Sequence, residues 1–360
     1  MAESRVSSQT HWLVKASRNG GSEMPEYMYD IVTLGRCSID LYANDIGVPF
    51  PEIRTFGAYL GGNPLNIAVG ARRLGLVTAL VSAVGDDIVG DFVLTRLAKE
   101  GVETRFISRK TGTRTPAVLL GIEPPDHFPL VFYRENAADF QLTIDDVASL
   151  PFHAIRTFLL SGTALARDPS RSAALYALER AHANGCMTYL DLDFRPDQWG
   201  DPRSYGVITR LVLPLIDVVI GTEAEVNALF ATRVSDIQIP RHQLTAPQVW
   251  GDLHAHIDQI LCSGPKALIV KQGAAGATAY LPGHEAIRVS GFVVTVVNTL
   301  GAGDAFAAGL IYGRLQGWDW YRSIQFANAC GAIIVTRIGC ADFMPTRVEV
   351  EQFLGEHITH

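Results

Sequence analysis

Residues able to do chemistry concentrate in one C-terminal stretch, Asn298-Thr299-Leu300-Gly301-Ala302-Gly303-Asp304. Two glycines around one alanine allow a tight turn that exposes backbone N–H groups. The apolar, β-branched run from Val293 to Val297 before it predicts a buried strand. The run from Ala305 to Tyr312 after it predicts a buried helix. A strand, a glycine turn and a helix N-terminus form an anion site, because unpaired amides and the positive end of the helix dipole converge there. Asp304 stands inside that site, where a carboxylate is awkward beside a phosphate unless it has a task. Taking the proton of an attacking hydroxyl is such a task. The plainer alternatives are a tight connection and an aspartate that caps the helix.

A second polar cluster is Gly61-Gly62-Asn63-Pro64-Leu65-Asn66. Paired glycines let the backbone approach a ligand closely. The amides of Asn63 and Asn66 both donate and accept, which suits sugar hydroxyls. Pro64 sits where a helix would begin, and Gly75 would end it. A plain turn with an N-cap asparagine is the alternative.

These clusters must be carried by regular elements. Apolar runs at 29–34, 78–84, 157–160, 187–192, 217–220 and 267–270 read as strands. Helical patterns lie between them: Asp87 to Lys99 stopped by Gly101, an Asp168-Pro169 start running to Asn184, and 324–335. Thr222 with Glu225, and Thr346 with Glu349, read as capping boxes. Regular βα alternation implies an α/β fold with a mostly parallel sheet and helices on both faces. Ligands then lie beyond the C-terminal strand ends. The polar clusters all fall there: Asp40 after the first strand, Asp191-Leu192-Asp193-Phe194-Arg195-Pro196, and Lys271-Gln272-Gly273-Ala274-Ala275-Gly276. Short strands within 41–60, 114–122 and 130–134 suit a small separate sheet.

The 360 residues, 48% hydrophobic and 19% charged, give room for one large α/β domain with an appendage, or for two domains. A net charge of -7 argues against nucleic-acid and anionic-membrane partners. No apolar run is long enough to span a bilayer. The first 28 residues read as a disordered leader without a signal-peptide core. Five cysteines, an odd count without a C-x-x-C pair, fit free thiols in a reducing cytoplasm. His254 and His256 stand two apart in a predicted helix and share no face, so solvated histidines are expected rather than a metal site. The first strand lacks the later glycines of a dinucleotide fingerprint, which argues against a dinucleotide-dependent oxidoreductase.

Together these residues resemble the ribokinase-like (PfkB) family of carbohydrate kinases over about Tyr29 to Pro345. Both family signatures are present in order: Gly61-Gly62-Asn63 through Gly75, and Thr299 through Asp304. The resemblance implies a ribokinase-like three-layer kinase domain over 29–355. It implies a small β lid from about 41–60 and 112–136, through which a homodimer would form. Gly35-Arg36-Cys37-Ser38-Ile39-Asp40-Leu41, Tyr133-Arg134-Glu135-Asn136-Ala137-Ala138-Asp139, Ser161 to Ala166 and Val219-Ile220-Gly221-Thr222 look most like one branch of the family. That branch phosphorylates 5-dehydro-2-deoxygluconate in inositol catabolism. Asp193-Phe194-Arg195-Pro196 is shared more widely with kinases of keto-deoxy sugar acids. The alternatives are kinases of 2-keto-3-deoxygluconate, fructose or ribose and, outside catalysis, a sugar-sensing relative.

Carried over by position, Asp304 would be the base, with Gly301, Ala302 and Gly303 as the anion hole. Asp40, Gly62, Asn63 and Asn66 would bind the sugar. Lys271, Gly273 and Gly276 would lie along ATP, Asn328 would border adenine, and Glu223 would stand near Mg2+. Two positions depart from the family pattern. Ile220 replaces the asparagine three before that glutamate. Asn298 replaces an aspartate, which argues against a monovalent-cation site. A sugar acid also needs a cation for its carboxylate. Arg195, oriented by Asp193, and Arg134 in the lid are the candidates, the alternative for Arg195 being a structural bridge to Asp193.

Overall fold

A computed structural model describes residues 27–124, 127–240 and 246–357. The predicted leader, apart from Tyr27 and Met28, lies outside the described residues. In chain order the first half runs β1 (Tyr29–Leu34), β2 (Ser38–Ala43), β3 (Phe56–Gly61), α1 (Asn63–Arg73), β4 (Thr78–Gly85), α2 (Ile88–Glu100), β5 (Ile107–Lys110), β6 (Ala117–Leu120), β7 (Leu130–Tyr133), α3 (Ile144–Ala148), β8 (Ile155–Ser161), α4 (Ser170–Ala183) and β9 (Met187–Asp191). It continues with α5 (Arg203–Val212), β10 (Val218–Thr222), α6 (Glu223–Ala228), β11 (Ile237–Gln238), β12 (Gln248–Val249), α7 (Leu253–Cys262), β13 (Ala267–Lys271), β14 (Ala277–Tyr280) and β15 (Ile287–Val289). Three helices end it: α8 (Ala302–Leu315), α9 (Trp320–Val335) and α10 (Arg347–His357).

The large sheet has the order β15-β14-β13-β10-β9-β8-β1-β4-β5. It is parallel from β13 through β5, and β14 and β15 join antiparallel at one edge. Its central strands are apolar on both faces because each face carries a layer of helices. Val32, Leu34, Phe158 and Leu160 belong to the core under α4 and α7. Ile31, Leu159 and Ile220 belong to the opposite core under α8 and α9. A second sheet, β3-β2-β6-β7, gathers strands from the three segments read as a small separate sheet, with β2 starting earlier, at Ser38.

Capping explains several boundaries. Asp87 accepts from the Gly90 amide to start α2, and Gly101, at φ 76°, ends it. Thr222 and Glu225 form a reciprocal capping box on α6. The helix expected from Asp168 begins slightly later, at Ser170, with Asp168 accepting from the Ser172 amide and hydroxyl. Helices α1 and α8 pack closely, and a Cβ on Gly70 would stand 3.0 Å from the Ala308 Cβ.

Two expectations need correction. Val293–Val297 is not a strand: the sheet ends at β15, and among the described residues the run has no strand to pair with. The Val297 and Asn298 amides both donate to the Val335 carbonyl at the end of α9, and Val293 is 98% exposed. The apolar run borders a cleft instead of entering a sheet. His256 is half-buried rather than solvated. Its ring stacks on Phe230 with centroids 4.5 Å apart, and its Nδ1 lies 2.9 Å from Asn227 Oδ1. Burial lowers its pKa. His254 is exposed.

All five cysteines are free thiols. No helix among the described residues is long and apolar enough to cross a membrane.

Candidate active site

One cleft of about 680 Å³ opens at the C-terminal edge of the large sheet, with Val118, Leu130 and Phe132 of the small sheet among its walls. Asp304 lies in the first turn of α8, whose N-cap is Gly301 at φ 81°. Asn63 Nδ2 donates to one carboxylate oxygen of Asp304 at 2.8 Å, and Asn66 Nδ2 to the other at 2.7 Å. Both asparagines sit at the start of α1, so two helix N-termini meet at this carboxylate. The amide donors expected to contact the sugar therefore hold the aspartate here. Their Oδ1 atoms are buried without a partner among the described residues, which leaves acceptors for a hydroxyl. Burial raises the Asp304 pKa and the Asp193 charge adds to that, while the two asparagines and Lys271 oppose it.

Lys271, at the end of β13, stands opposite: a Cβ on Gly303 would lie 3.1 Å from its Nζ. A side chain at Gly303 would press on that ammonium, so glycine leaves the space between the start of α8 and Lys271 open. Lys271 Nζ is 3.5 Å from Asp191 Oδ1, while Asp191 Oδ2 is buried without a partner among the described residues. Burial pushes Asp191 up to about 7, against the pull of Lys271. For Lys271, burial lowers the pKa, but Asp191, Glu225 and Asp304 outweigh it and keep the ammonium charged.

The acidic residue that the structure brings to the cleft from α6 is Glu225, not Glu223. Glu223 Oε1 instead accepts from Gln272 Nε2 at 3.0 Å. Glu225 caps α6 through the Thr222 amide at 2.7 Å and accepts from the Phe194 amide at 3.2 Å. Its dual use hid it, because a capping box already accounts for a glutamate at that position. Ile220, three before Glu223, is a fully buried residue of β10.

Asp40 is buried in the cleft wall and accepts from Ser38 Oγ at 2.8 Å and the Tyr42 hydroxyl at 3.2 Å. Burial raises its pKa, and Arg36 and these donors oppose the rise. Gly62, at φ 112°, must lack a Cβ, which would fall 2.3 Å from the Arg36 carbonyl. Arg195 pairs with Asp193 Oδ1 at 2.6 Å and lies 3.8 Å from Glu225. Asp193 is fixed in turn by Ser161 and Thr163 hydroxyls at 3.1 and 3.3 Å. Both residues line the cleft. Arg134 does not: it is buried behind the wall, paired with Asp139, bonded to Gln198 Oε1 at 3.1 Å and lying over the Phe140 ring.

The far end of the cleft is made of backbone. Gly273 and Gly276 follow β13 at φ 58° and 100°, and Gly291 faces them. A Cβ on Gly276 would fall 2.1 Å from the Val289 carbonyl, so the loop closes only with glycine. Asn328 of α9 donates to the Val289 and Ser290 carbonyls at 3.1 Å and lines the same end. Asn298 is buried and donates to the Ile338 carbonyl at 3.0 Å, and it accepts from the Leu300 amide at 3.0 Å. It staples the turn that leads into Gly301 and α8. Among the described residues no group of three or more His, Cys, Asp or Glu could hold a metal ion alone.

This arrangement has relatives. The chain is 36% identical over 332 residues to the 5-dehydro-2-deoxygluconokinase of Geobacillus thermodenitrificans (strain NG80-2), covering 91% of this chain and 94% of that one. It is 34% identical to the protein of that name from Clostridium perfringens (strain 13 / Type A), over 91% and 93% of the two chains. Among solved structures, an E. coli protein described as a ribokinase II, in complex with ATP and Mg2+, superposes with a TM-score of 0.79 at 28% identity, over 92% of this chain and all of that one. A fructokinase with bound ATP from Xylella fastidiosa superposes with a TM-score of 0.77 at 27% identity, over 91% and 99%. The family model for pfkB family carbohydrate kinases matches residues 28–347, and the chain belongs to that family.

Proposed function

We propose that this protein transfers the γ-phosphoryl group of ATP to the terminal hydroxyl of 5-dehydro-2-deoxygluconate, giving the 6-phosphate. The carrying observation is Asp304, held by Asn63 and Asn66 beside the Gly301–Gly303 turn and opposite Lys271. Names of relatives at 34 and 36% identity support the choice of sugar acid. Its place in inositol catabolism rests on sequence resemblance alone.

In the proposed reaction a carboxylate oxygen of Asp304 takes the proton of the sugar hydroxyl as the hydroxyl oxygen bonds to the γ-phosphorus. The bond from phosphorus to the bridging oxygen breaks, and ADP leaves. The chain has little covalent chemistry to do. It positions the reactants and stabilises charge on the phosphoryl oxygens. The Gly301–Gly303 amides, the start of α8 and Lys271 supply that charge stabilisation. Gly273, Gly276 and Asn328 border the nucleotide. Asp40, Gly62 and the free carbonyl oxygens of Asn63 and Asn66 hold sugar hydroxyls, and Asp193 and Arg195 border the sugar.

Mg2+ fits this donor set as an ion carried mainly by phosphates and water, since it needs few protein ligands. Glu225 and Asp191, both near Lys271, are the carboxylates that would hold its waters. The small sheet would act as a lid that excludes water competing for the phosphoryl group. A homodimer would form through the same sheet, whose strand β7 exposes Val131 and Tyr133. Five free thiols accord with the cytoplasm.

ATP consumption measured over 5-dehydro-2-deoxygluconate, 2-keto-3-deoxygluconate, fructose and ribose tests the reading. The highest kcat/KM is expected on the first. A higher value on a neutral sugar overturns the sugar-acid assignment.

A further inference from the structure

Three arginines stand near the sugar end of the cleft, and two of them are already neutralised. Arg134 pairs with Asp139, and Arg195 pairs with Asp193. The third, Arg36, is only 8% exposed and lines the cleft, yet among the described residues no carboxylate oxygen lies within 4.0 Å of it. A buried guanidinium with no carboxylate in direct contact, linked to Asp40 only through the Ser38 hydroxyl, is costly, and it persists where something completes it. We infer that Arg36 is the residue that receives the carboxylate of the sugar acid. This rests on the proposed function and names the residue that sets its substrate class.

The surroundings of Arg36 are those of an oriented donor. Its Nη1 donates to Ser38 Oγ at 3.0 Å, and Ser38 Oγ donates on to Asp40 Oδ1 at 2.8 Å. Its guanidinium carbon lies 5.1 Å from the centre of the Phe132 ring, on β7 of the small sheet. A hydroxyl fixes one nitrogen and a ring restrains the plane. Most of the five N–H donors stay uncommitted, enough for a two-point contact with a carboxylate. The Ser38 link couples that contact to Asp40, the group expected on a sugar hydroxyl. The Arg36 carbonyl abuts Gly62, the residue before Asn63, which holds the base. One short backbone contact thus joins the carboxylate end of the pocket to its reacting end. Arg36 was legible in sequence only as part of a family stretch, because the property that marks it is a missing tertiary partner.

The test compares 5-dehydro-2-deoxygluconate with the same sugar bearing a neutral amide in place of the carboxylate. Kinetics are measured on the wild type, Arg36→Met, Arg36→Lys and Arg195→Met, with circular dichroism as the check of folding. The wild type is expected to prefer the acid by on the order of a hundredfold. Arg36→Met is expected to abolish most of that preference, chiefly through KM on the acid, while its kcat/KM on the amide changes by less than about fivefold. Arg36→Lys should recover part of the preference, since it keeps the charge but not the fork. Equal losses on acid and amide in Arg36→Met overturn the inference. So does a loss of preference in Arg195→Met with none in Arg36→Met. If no Arg36 variant folds, the wild type decides: absence of preference for the acid over the amide overturns it. A wild type that phosphorylates neutral sugars but no sugar acid instead overturns the functional reading itself.

Discussion

Asn66 Nδ2 reaches Asp304 Oδ2 at 2.7 Å across 238 residues of chain. The bond joins the first turn of α1 to the first turn of α8, and Asn63 makes its counterpart on the other oxygen. A carboxylate buried among small apolar residues tends to keep its proton, and these two donors favour the ionised form. The relationship makes the proposed base and its orientation separable by mutation.

Asp304→Asn removes the base but keeps the shape. Turnover should fall by roughly two to four orders of magnitude with thermal stability little changed. Steady-state kinetics and a melting curve check this, and near-normal turnover would refute the role of Asp304.

Asn66→Ala leaves one oxygen of Asp304 without its donor. A hydrogen bond to a charged group contributes about 1.5–3 kcal/mol, so kcat should fall by roughly ten- to a hundredfold. The pH profile carries the sign. Asn66 holds the Asp304 pKa down against burial, so its loss raises that pKa. The base works deprotonated, and the acid limb of kcat should therefore move to higher pH. An unmoved limb would show that another group titrates in the profile.

The two glutamates of α6 have different tasks. Glu223→Gln should leave turnover within about twofold, since its side chain faces Gln272 rather than the cleft. Glu225→Gln should lower kcat and raise the Mg2+ concentration needed for half-maximal rate by about tenfold or more. Magnesium titrations of both variants decide this, because a purely structural Glu225 would lower stability without changing the magnesium requirement.

Gly276 and Gly283 form a matched pair. Both have positive φ, but a Cβ on Gly276 meets backbone at 2.1 Å, whereas one on Gly283 meets nothing within 4 Å. Gly283→Ala should cost only about 1–2 kcal/mol of stability from backbone strain. Gly276→Ala should cost more, and it should raise the KM for ATP by on the order of tenfold, about 1.4 kcal/mol. Equal effects would remove Gly276 from the nucleotide end.

Activation by potassium should be weak. Asn298 offers a neutral amide, and both of its functions are occupied by Ile338 and Leu300. Rates in potassium and in a bulky organic cation, at equal ionic strength, should agree within about twofold. A large potassium dependence would mean that backbone carbonyls alone bind the ion.

Much of this was legible in the chain because the signals were local. βα alternation gave the mostly parallel sheet, and Gly301-Ala302-Gly303-Asp304 gave a helix start with a carboxylate inside it. Val293–Val297 misled because β-branched residues fit a pleated surface equally well whether or not a neighbouring strand exists. Glu225 was read only as a cap, although a cap at a strand's C-terminal end is also at the ligand edge. Arg134 had a visible warning in Asp139, only five residues away and able to neutralise it. The partners of Arg195 and the solitude of Arg36 are tertiary facts that no spacing encodes.

The close crossing of α1 and α8 at Gly70 and Ala308 acts as a ruler for Asp304. Asn63 and Asn66 ride on one helix and Asp304 on the other, so the separation of the two axes fixes the lengths of both amide bonds. A single methyl group added at Gly70 would widen the gap from a position about one to two turns away, without entering the cleft. Such a variant would bind both substrates and misplace the proton acceptor by tenths of an ångström. If Asp304 is the base, its alignment would be set in dry helix packing, and a screen confined to residues lining the pocket would overlook it.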